Sequence, residues 1–377
     1  DRIAGITGDM TNMETLYAIK EFFEKTIKSK NLDSRTENYY VNSNNRSNYI
    51  FNSKITGIED SDIIILIGTN PRYEATILNA RIRKAYKKNN IKIYSLGEIG
   101  DITYPYTILE NSTKTISEII NNKHKLSDII KESKRPIFII GQSALKLNSS
   151  PYIIEELKKY LSKNNKINND WNSLNILSNN AATVGSYDLN ILSSINGTNN
   201  TLERIKKNEF EVLFLFGQEN LKFRKKKEFI IYVGSHGDRG AETADIILPG
   251  ASYTEQDGYF TNLEGKIQKA YQASYPPGEA KEDWTIINEL SASLKRKYLY
   301  SDKDELINSM LNYLNLYKDK KDFEIPEYKF IEEKIHVEDI DYYHSNSIAR
   351  ASKTMAECKN SLKNIKKTGT YGWWLSI

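Results

Sequence analysis

Apolar residues in this chain follow two rhythms. Short unbroken runs, rich in β-branched residues, recur at 63–67 (IIILI), 137–140 (IFII), 212–216 (VLFLF), 229–233 (FIIYV) and 244–248 (ADIIL). Such runs predict strands buried on both faces, as in a parallel sheet covered by helices. The stretches 2–7 (RIAGIT) and 92–96 (KIYSL) read as strands of the same kind. Between the runs, apolar positions recur at helical spacing. Leu16, Ile19, Phe22 and Phe23 predict a helix over 13–27, capped by Thr11 or Asn12. Further helices are expected over 75–87, 113–120, 126–132, 152–163, 202–206, 286–297 and 301–316. The Asn- and Ser-rich stretch 28–49 predicts a surface loop. Strands alternating with helices predict an α/β fold with parallel sheets. We expect two Rossmann-like lobes, 1–134 and 135–300, and a helical and extended C-terminal tail, 301–377, that wraps partners.

Two glycine-punctuated turns stand out. After the run 229–233 come Gly234, His236, Gly237 and Asp238, then the run 244–248 closed by Pro249 and Gly250. Two buried strands joined through such a loop make a crevice at a sheet edge, where open α/β sheets place ligands. After the run 63–67 come Gly68, Asn70, Pro71 and Arg72, followed by a helix. Strand, glycine turn and helix can aim backbone N–H groups at an anion. The plainer reading, which we prefer, has Asn70 capping the helix, Pro71 in its first turn, and Arg72 and Arg81 in ion pairs.

Composition narrows the functional classes. The chain has 377 residues, 39% hydrophobic and 27% charged, with a net charge of +4. Interspersed charges of that balance argue against nucleic acid as the main partner. No apolar run approaches the roughly 18 residues of a membrane span. Lys225–Lys227 and Lys366–Lys367 read as solvated. The single cysteine, Cys358, excludes a disulfide framework and a cysteine-ligated iron–sulfur cluster within this chain. The four histidines (His124, His236, His336, His344) do not cluster as zinc ligands. His236, with Asp238 and Arg239, is expected to support its loop, not to act as a general base. Ser143 lacks the surroundings of a nucleophile, Trp171 reads as a packing anchor, and no phosphate loop or dinucleotide fingerprint occurs. Heavy use of Asn, Lys, Ile and Tyr suggests an AT-rich genome, a mitochondrial one being a candidate. A start at Asp1 without methionine suggests a fragment or one product of a divided subunit.

The block ADIILPGA (244–251), followed by Tyr253, Thr254, Glu255, Gly258, Tyr259, Asn262, Glu264, Gly265, Lys266 and Gln268, resembles the molybdopterin-oxidoreductase superfamily. Within it, HGDRGAETADIILPGA, Pro276-Pro277-Gly278 and Glu282-Asp283-Trp284 are similar to the large iron–sulfur subunit of respiratory complex I. GTNPRYEA (68–75), LNARIRK (78–84), DITY (101–104) and IARAS followed by TMAEC (348–358) resemble the same branch. The resemblance implies that Gly68, Asn70, Pro71, Gly234, His236, Gly237 and Asp238 are vestiges of a pterin site. It implies no catalytic or metal-binding residue and no molybdenum in this chain. Iron–sulfur clusters would belong to a missing N-terminal portion or a companion chain. The implied role is a structural part of proton-translocating NADH:ubiquinone reductase, in the electron-input module of the peripheral arm. The implied partners are the cluster-bearing portion, the NADH-binding flavoprotein and other arm subunits, on the matrix side of the mitochondrial inner membrane. Two alternatives remain at this point: an active, formate-dehydrogenase-like pterin enzyme, and a free-standing scaffold or assembly protein. The final residues 371–377, with Trp373 and Trp374, lie outside the pattern and suggest a docking tail.

Overall fold

The apolar runs become the inner strands of two parallel sheets. The computed structural model describes residues 2–193, 200–317 and 323–368, with side chains to 362. In chain order the strands are β1 (Ile3–Thr7), β2 (Leu32–Asp33), β3 (Ile63–Ile67), β4 (Lys92–Leu96), β5 (Thr107–Ile108), β6 (Pro136–Ile140), β7 (Leu174–Ile176), β8 (Val212–Phe216), β9 (Phe229–Gly234) and β10 (Ile246–Pro249). One sheet runs β10-β9-β8-β1-β2 and the other β5-β4-β3-β6-β7, with every pair parallel. Gly258–Thr261 and Ile267–Ala270 form a separate antiparallel ribbon.

The lobes do not divide at 134/135. β6 pairs with β3 in register from Ile63↔Pro136 to Ile67↔Ile140, across the expected boundary. β1 pairs with β8, from Ile3↔Val212 to Thr7↔Phe216. The lobe containing β3–β7 is thus inserted between β2 and β8 of the other. A run buried on both faces shows that layers cover it, and does not say which strands it pairs with or how far along the chain they lie.

Three further expectations change. The stretch 28–49 is largely interior: Asp33, Arg35, Tyr40 and Tyr49 are buried. Its polar groups are matched internally, with Arg35 Nη2 2.7 Å from Asp33 Oδ2 and 2.7 Å from Ser193 O. A hydrophilic sequence can therefore be buried when its charges are paired and hydrogen-bonded. The run 244–248 is not a buried strand but the edge β10, with Ile246 44% and Ile247 54% exposed. The tail wraps its own chain. Lys303–Tyr317 buries Leu306, Met310 and Leu314 in the core of the first sheet. Ile335 enters the core of the second, its N–H donating to Asn111 O at 2.8 Å. The aromatic residues 371–377 lie outside the described residues.

The predicted helix 13–27 forms as α1 (Met13–Glu21), continuing in a π-helical stretch, Phe22–Ile27. Asn12 is its cap, accepting from Thr15 N at 2.9 Å. Phe22 and Phe23 meet Phe214 edge-on, each at a centroid distance of 5.9 Å. No helix among the described residues is long and apolar enough to cross a membrane.

Candidate functional site

The first glycine turn leaves the carboxyl end of β3, beside β6, where the chain's crossovers part to either side. Gly68 takes φ +58°, and a Cβ there would lie 2.7 Å from Ala144 N, so the turn packs directly on the β6 turn. Asn70 caps the short helix α2 (Pro71–Glu74), with Oδ1 accepting from Arg72 N at 3.0 Å. The Asn70 N–H is taken by Glu74 Oε1 at 2.6 Å. Arg72 pairs with Asp101 at 2.6 Å, and Arg81, on α3 (Thr76–Asn89), pairs with Glu59 at 2.6 Å. The preferred sequence reading of this turn therefore matches its geometry.

The second turn leaves β9 in the other sheet. The His236 ring meets Ser235 Oγ at 2.8 Å. Asp238 accepts from Arg239 N at 2.9 Å and faces Arg350, with which it forms an ion pair. The pairing of His236 with Asp238 that general-base chemistry would require is thus absent from the contacts of either side chain. Gly237 has open space where a Cβ would stand. Around Arg350 lie three carboxyls. Asp238 touches it, and Asp9 and Glu219 feel its charge. Burial pushes both Asp9 and Glu219 above the usual carboxyl range, while Arg350 acts to lower them.

Residues 179 and 180 join the two sheet ends. Asn180 Nδ2 donates to Asp9 Oδ1 at 2.8 Å, beyond β1. Asn179 Nδ2 donates to Gln142 Oε1 at 3.2 Å, beyond β6. Thr69 Oγ1, Glu74 Oε2 and Asn179 Oδ1 are buried without a hydrogen-bond partner in standard geometry. Desolvation raises the Glu74 carboxyl to about 7, against the lowering effect of its neighbours Asn70, Thr69 and Asn179.

The groups that an anion would meet at the first turn are already engaged. The backbone donor of Asn70 that would face a phosphate is held by Glu74, and the Gly68 turn is pressed onto Ala144. Beyond β1 the chain is also closely packed: a Cβ at Gly8 would stand 2.0 Å from Gly217 O. Among the described residues, no three His, Cys, Asp or Glu side chains converge as a metal ion would need.

The remaining candidates have structural partners. Trp171 Nε1 donates to Pro136 O at 3.0 Å, and Arg135 lies over the ring at 5.4 Å. His124 Nδ1 accepts from Leu126 N at 3.1 Å. Ser143 Oγ accepts from Glu338 N at 3.1 Å, and Cys358 is exposed. Glu74 stands in the quoted GTNPRYEA block without a role assigned to it, and Asp9, Asn179, Asn180 and Glu219 are not among the candidate site residues. For the last four the signal was only position, a few residues past a strand end, which has no chemistry of its own.

Comparison with known proteins identifies the family. Residues 1–293 match the family model "Molybdopterin oxidoreductase", and residues 327–358 match the model for the C-terminal part of the G-type subunit of NADH-ubiquinone oxidoreductase. The NADH-ubiquinone oxidoreductase 75 kDa subunit of Reclinomonas americana is 34% identical over 96% of this chain and 56% of its own length. The G-type subunit of NADH-quinone oxidoreductase from Rickettsia bellii is 34% identical over 98% of this chain and 54% of its own. The chain thus spans about half the length of the curated relatives it matches. In fold it is similar to a chain of the formyltransferase/hydrolase complex of Methylorubrum extorquens, with TM-score 0.50, 12% identity, 82% of this chain and 93% of that one. By sequence, this chain belongs to the molybdopterin oxidoreductase family.

Proposed function

We propose that the chain is a non-catalytic, structural part of the large iron–sulfur subunit of complex I, in the electron-input module of its peripheral arm. It carries no pterin and no metal, and the iron–sulfur clusters belong to an N-terminal portion or companion chain. Its work is to hold that cluster-bearing part in register with the NADH-binding flavoprotein and the other arm subunits, so that electrons pass from NADH toward ubiquinone. The arm would face the matrix at the mitochondrial inner membrane. The chain has no active site of its own; the NADH:ubiquinone reductase and proton translocation belong to the assembly.

One observation carries this reading: in the first glycine turn the Asn70 N–H is held by the chain's own Glu74 and Gly68 is packed onto Ala144. The family match continuing to residue 358 favours the complex I branch over a formate-dehydrogenase-like enzyme or a free-standing scaffold. Native electrophoresis of gently solubilised membranes tests it. The chain is expected in a very large band that oxidises NADH; a small separate band overturns the reading.

A further inference from the structure

The helix pair α2–α3 is strongly basic. Between Pro71 and Asn89 six cations (Arg72, Arg81, Arg83, Lys84, Lys87, Lys88) stand against one carboxylate, Glu74, a net of +5 where the whole chain carries +4. The rest of the molecule is therefore slightly acidic. Some of these cations are spoken for: Arg72 by Asp101, and Arg81 and Lys84 by Glu59. Arg83, Lys87 and Lys88 have no ion pair among the described residues. Together with Arg72, Asn79 and Thr103 they line an open groove between α3 and the turn 101–104.

The wall opposite the helix is built, not slack. Thr103 takes φ +75°, a conformation that a β-branched residue holds only when its surroundings impose it. Its N–H donates to Asp101 Oδ1 at 2.7 Å, Arg72 Nη1 donates to Asp101 O at 2.9 Å, and Asn79 Nδ2 donates to Ile102 O at 3.1 Å. Neither wall, LNARIRK nor DITY, takes part in closing the cofactor turns. At the near end of α3, Ile77 is 80% and Tyr73 40% exposed. An apolar pair beside a basic rim is the makeup of a protein docking surface.

We infer that this groove docks an acidic segment of a neighbouring polypeptide, whose carboxylates meet Arg83, Lys87 and Lys88 and whose apolar residue covers Ile77. The chemistry favours polypeptide over other polyanions. Single-stranded nucleic acid needs successive stacking platforms, and the ring at the end of the groove, Tyr73, already lies beneath the Arg72 guanidinium, 6.0 Å from its centroid. A lipid surface needs a free apolar helix face, but Leu78, Ile82 and Ala85 of α3 are buried against the chain's own sheet. The inference rests on the subunit reading above and deepens it.

The test compares three full-length chains expressed in cells that make the native assembly: wild type, Arg83→Glu/Lys87→Glu/Lys88→Glu, and Lys123→Glu/Lys125→Glu/Lys134→Glu as a charge-matched control. Wild type and control are expected to co-migrate with the NADH-oxidising band. The groove variant, melting like wild type, should be retained about tenfold less, with wild-type retention itself weakening in salt. Zero-length carbodiimide coupling of the wild-type assembly should join Lys87 or Lys88 to an Asp or Glu of another polypeptide. If the triple reversal fails to fold, Lys87→Gln/Lys88→Gln reads the same loss at about threefold. Equal retention of groove variant and control, or no such cross-link, overturns the inference alone; a wild-type chain that migrates by itself overturns it together with the subunit reading. Groove-dependent binding to phosphatidylserine vesicles or to oligo(dT), in place of the cross-links, also overturns it.

Discussion

Asn180 donates to Asp9 at 2.8 Å, tying the end of β1 to the segment that returns from the inserted lobe. Asn220 Nδ2 donates to the other Asp9 oxygen, also at 2.8 Å. A half-buried carboxylate thus holds three distant stretches of chain together. Asp9→Ala leaves both carboxamides without their acceptor and should cost about 1–3 kcal/mol in urea unfolding. Asp9→Asn should lose less. An alanine variant as stable as wild type would remove Asp9 from this role.

Arg350 carries the C-terminal helices back to the β9 turn through Asp238. Their side chains are 20% and 26% exposed, so the pair is shielded but not dry. Arg350→Gln should therefore speed hydrogen exchange across 341–362 by several-fold, on the order of 1 kcal/mol, while the melting of both sheets barely moves. Unchanged exchange in that segment would show that the helices are held by other contacts.

Two buried carboxyls, Glu74 and Asp283, are each raised to about 7, from ordinary values of 4.5 and 3.8. Each lies beside a carboxamide, Asn179 or Gln256, whose oxygen lacks a donor. A folded-state value above the unfolded one means that stability is fully present at low pH and is lost as pH rises toward 7. Each group should contribute a slope of up to about 1.4 kcal/mol per pH unit in that window, flattening above it. Glu74→Gln keeps the acceptor for Asn70 N and should remove its share of the slope, read from urea midpoints at pH 5 and pH 8. An unaltered slope in that variant would mean that Glu74 folds ionised.

Close approach at the strand ends can be tested by adding one methyl group. Gly8→Ala places a carbon 2.0 Å from Gly217 O, which is backbone and cannot swing aside. The expected loss is about 1–3 kcal/mol or more, or failure to accumulate folded chain. Gly237→Ala, in the other turn, meets nothing within 4 Å and should melt like wild type. Equal effects at the two positions would contradict the closed-crevice geometry.

What could be read in the sequence was what lies in local periodicity and local chemistry. β3 and β6, all apolar and fully buried, stand where their runs predicted. So does the Asn70 cap, because a cap needs only its own helix. The nesting of one lobe inside the other was not legible, since every parallel run looks alike and pairing between β1 and β8 spans the whole inserted lobe. Arg35 and Asp33 read as solvated because burial of a charge depends on a partner's geometry, which two residues of spacing do not reveal. The Asp9–Asn180 contact joins residues with no shared motif. Only the fold brings them together.

The central proposal is that this pterin-type fold holds no pterin, its first glycine turn being engaged by Glu74 and packed on Ala144. The most direct measurement is the molybdenum, tungsten and pterin content per chain of the NADH-oxidising assembly, isolated without chelators and quantified against this polypeptide. The account predicts values far below one of each per chain, with NADH oxidation intact. Stoichiometric metal together with pterin, bound to this chain, would contradict it and make the closed turns a resting state of a working site.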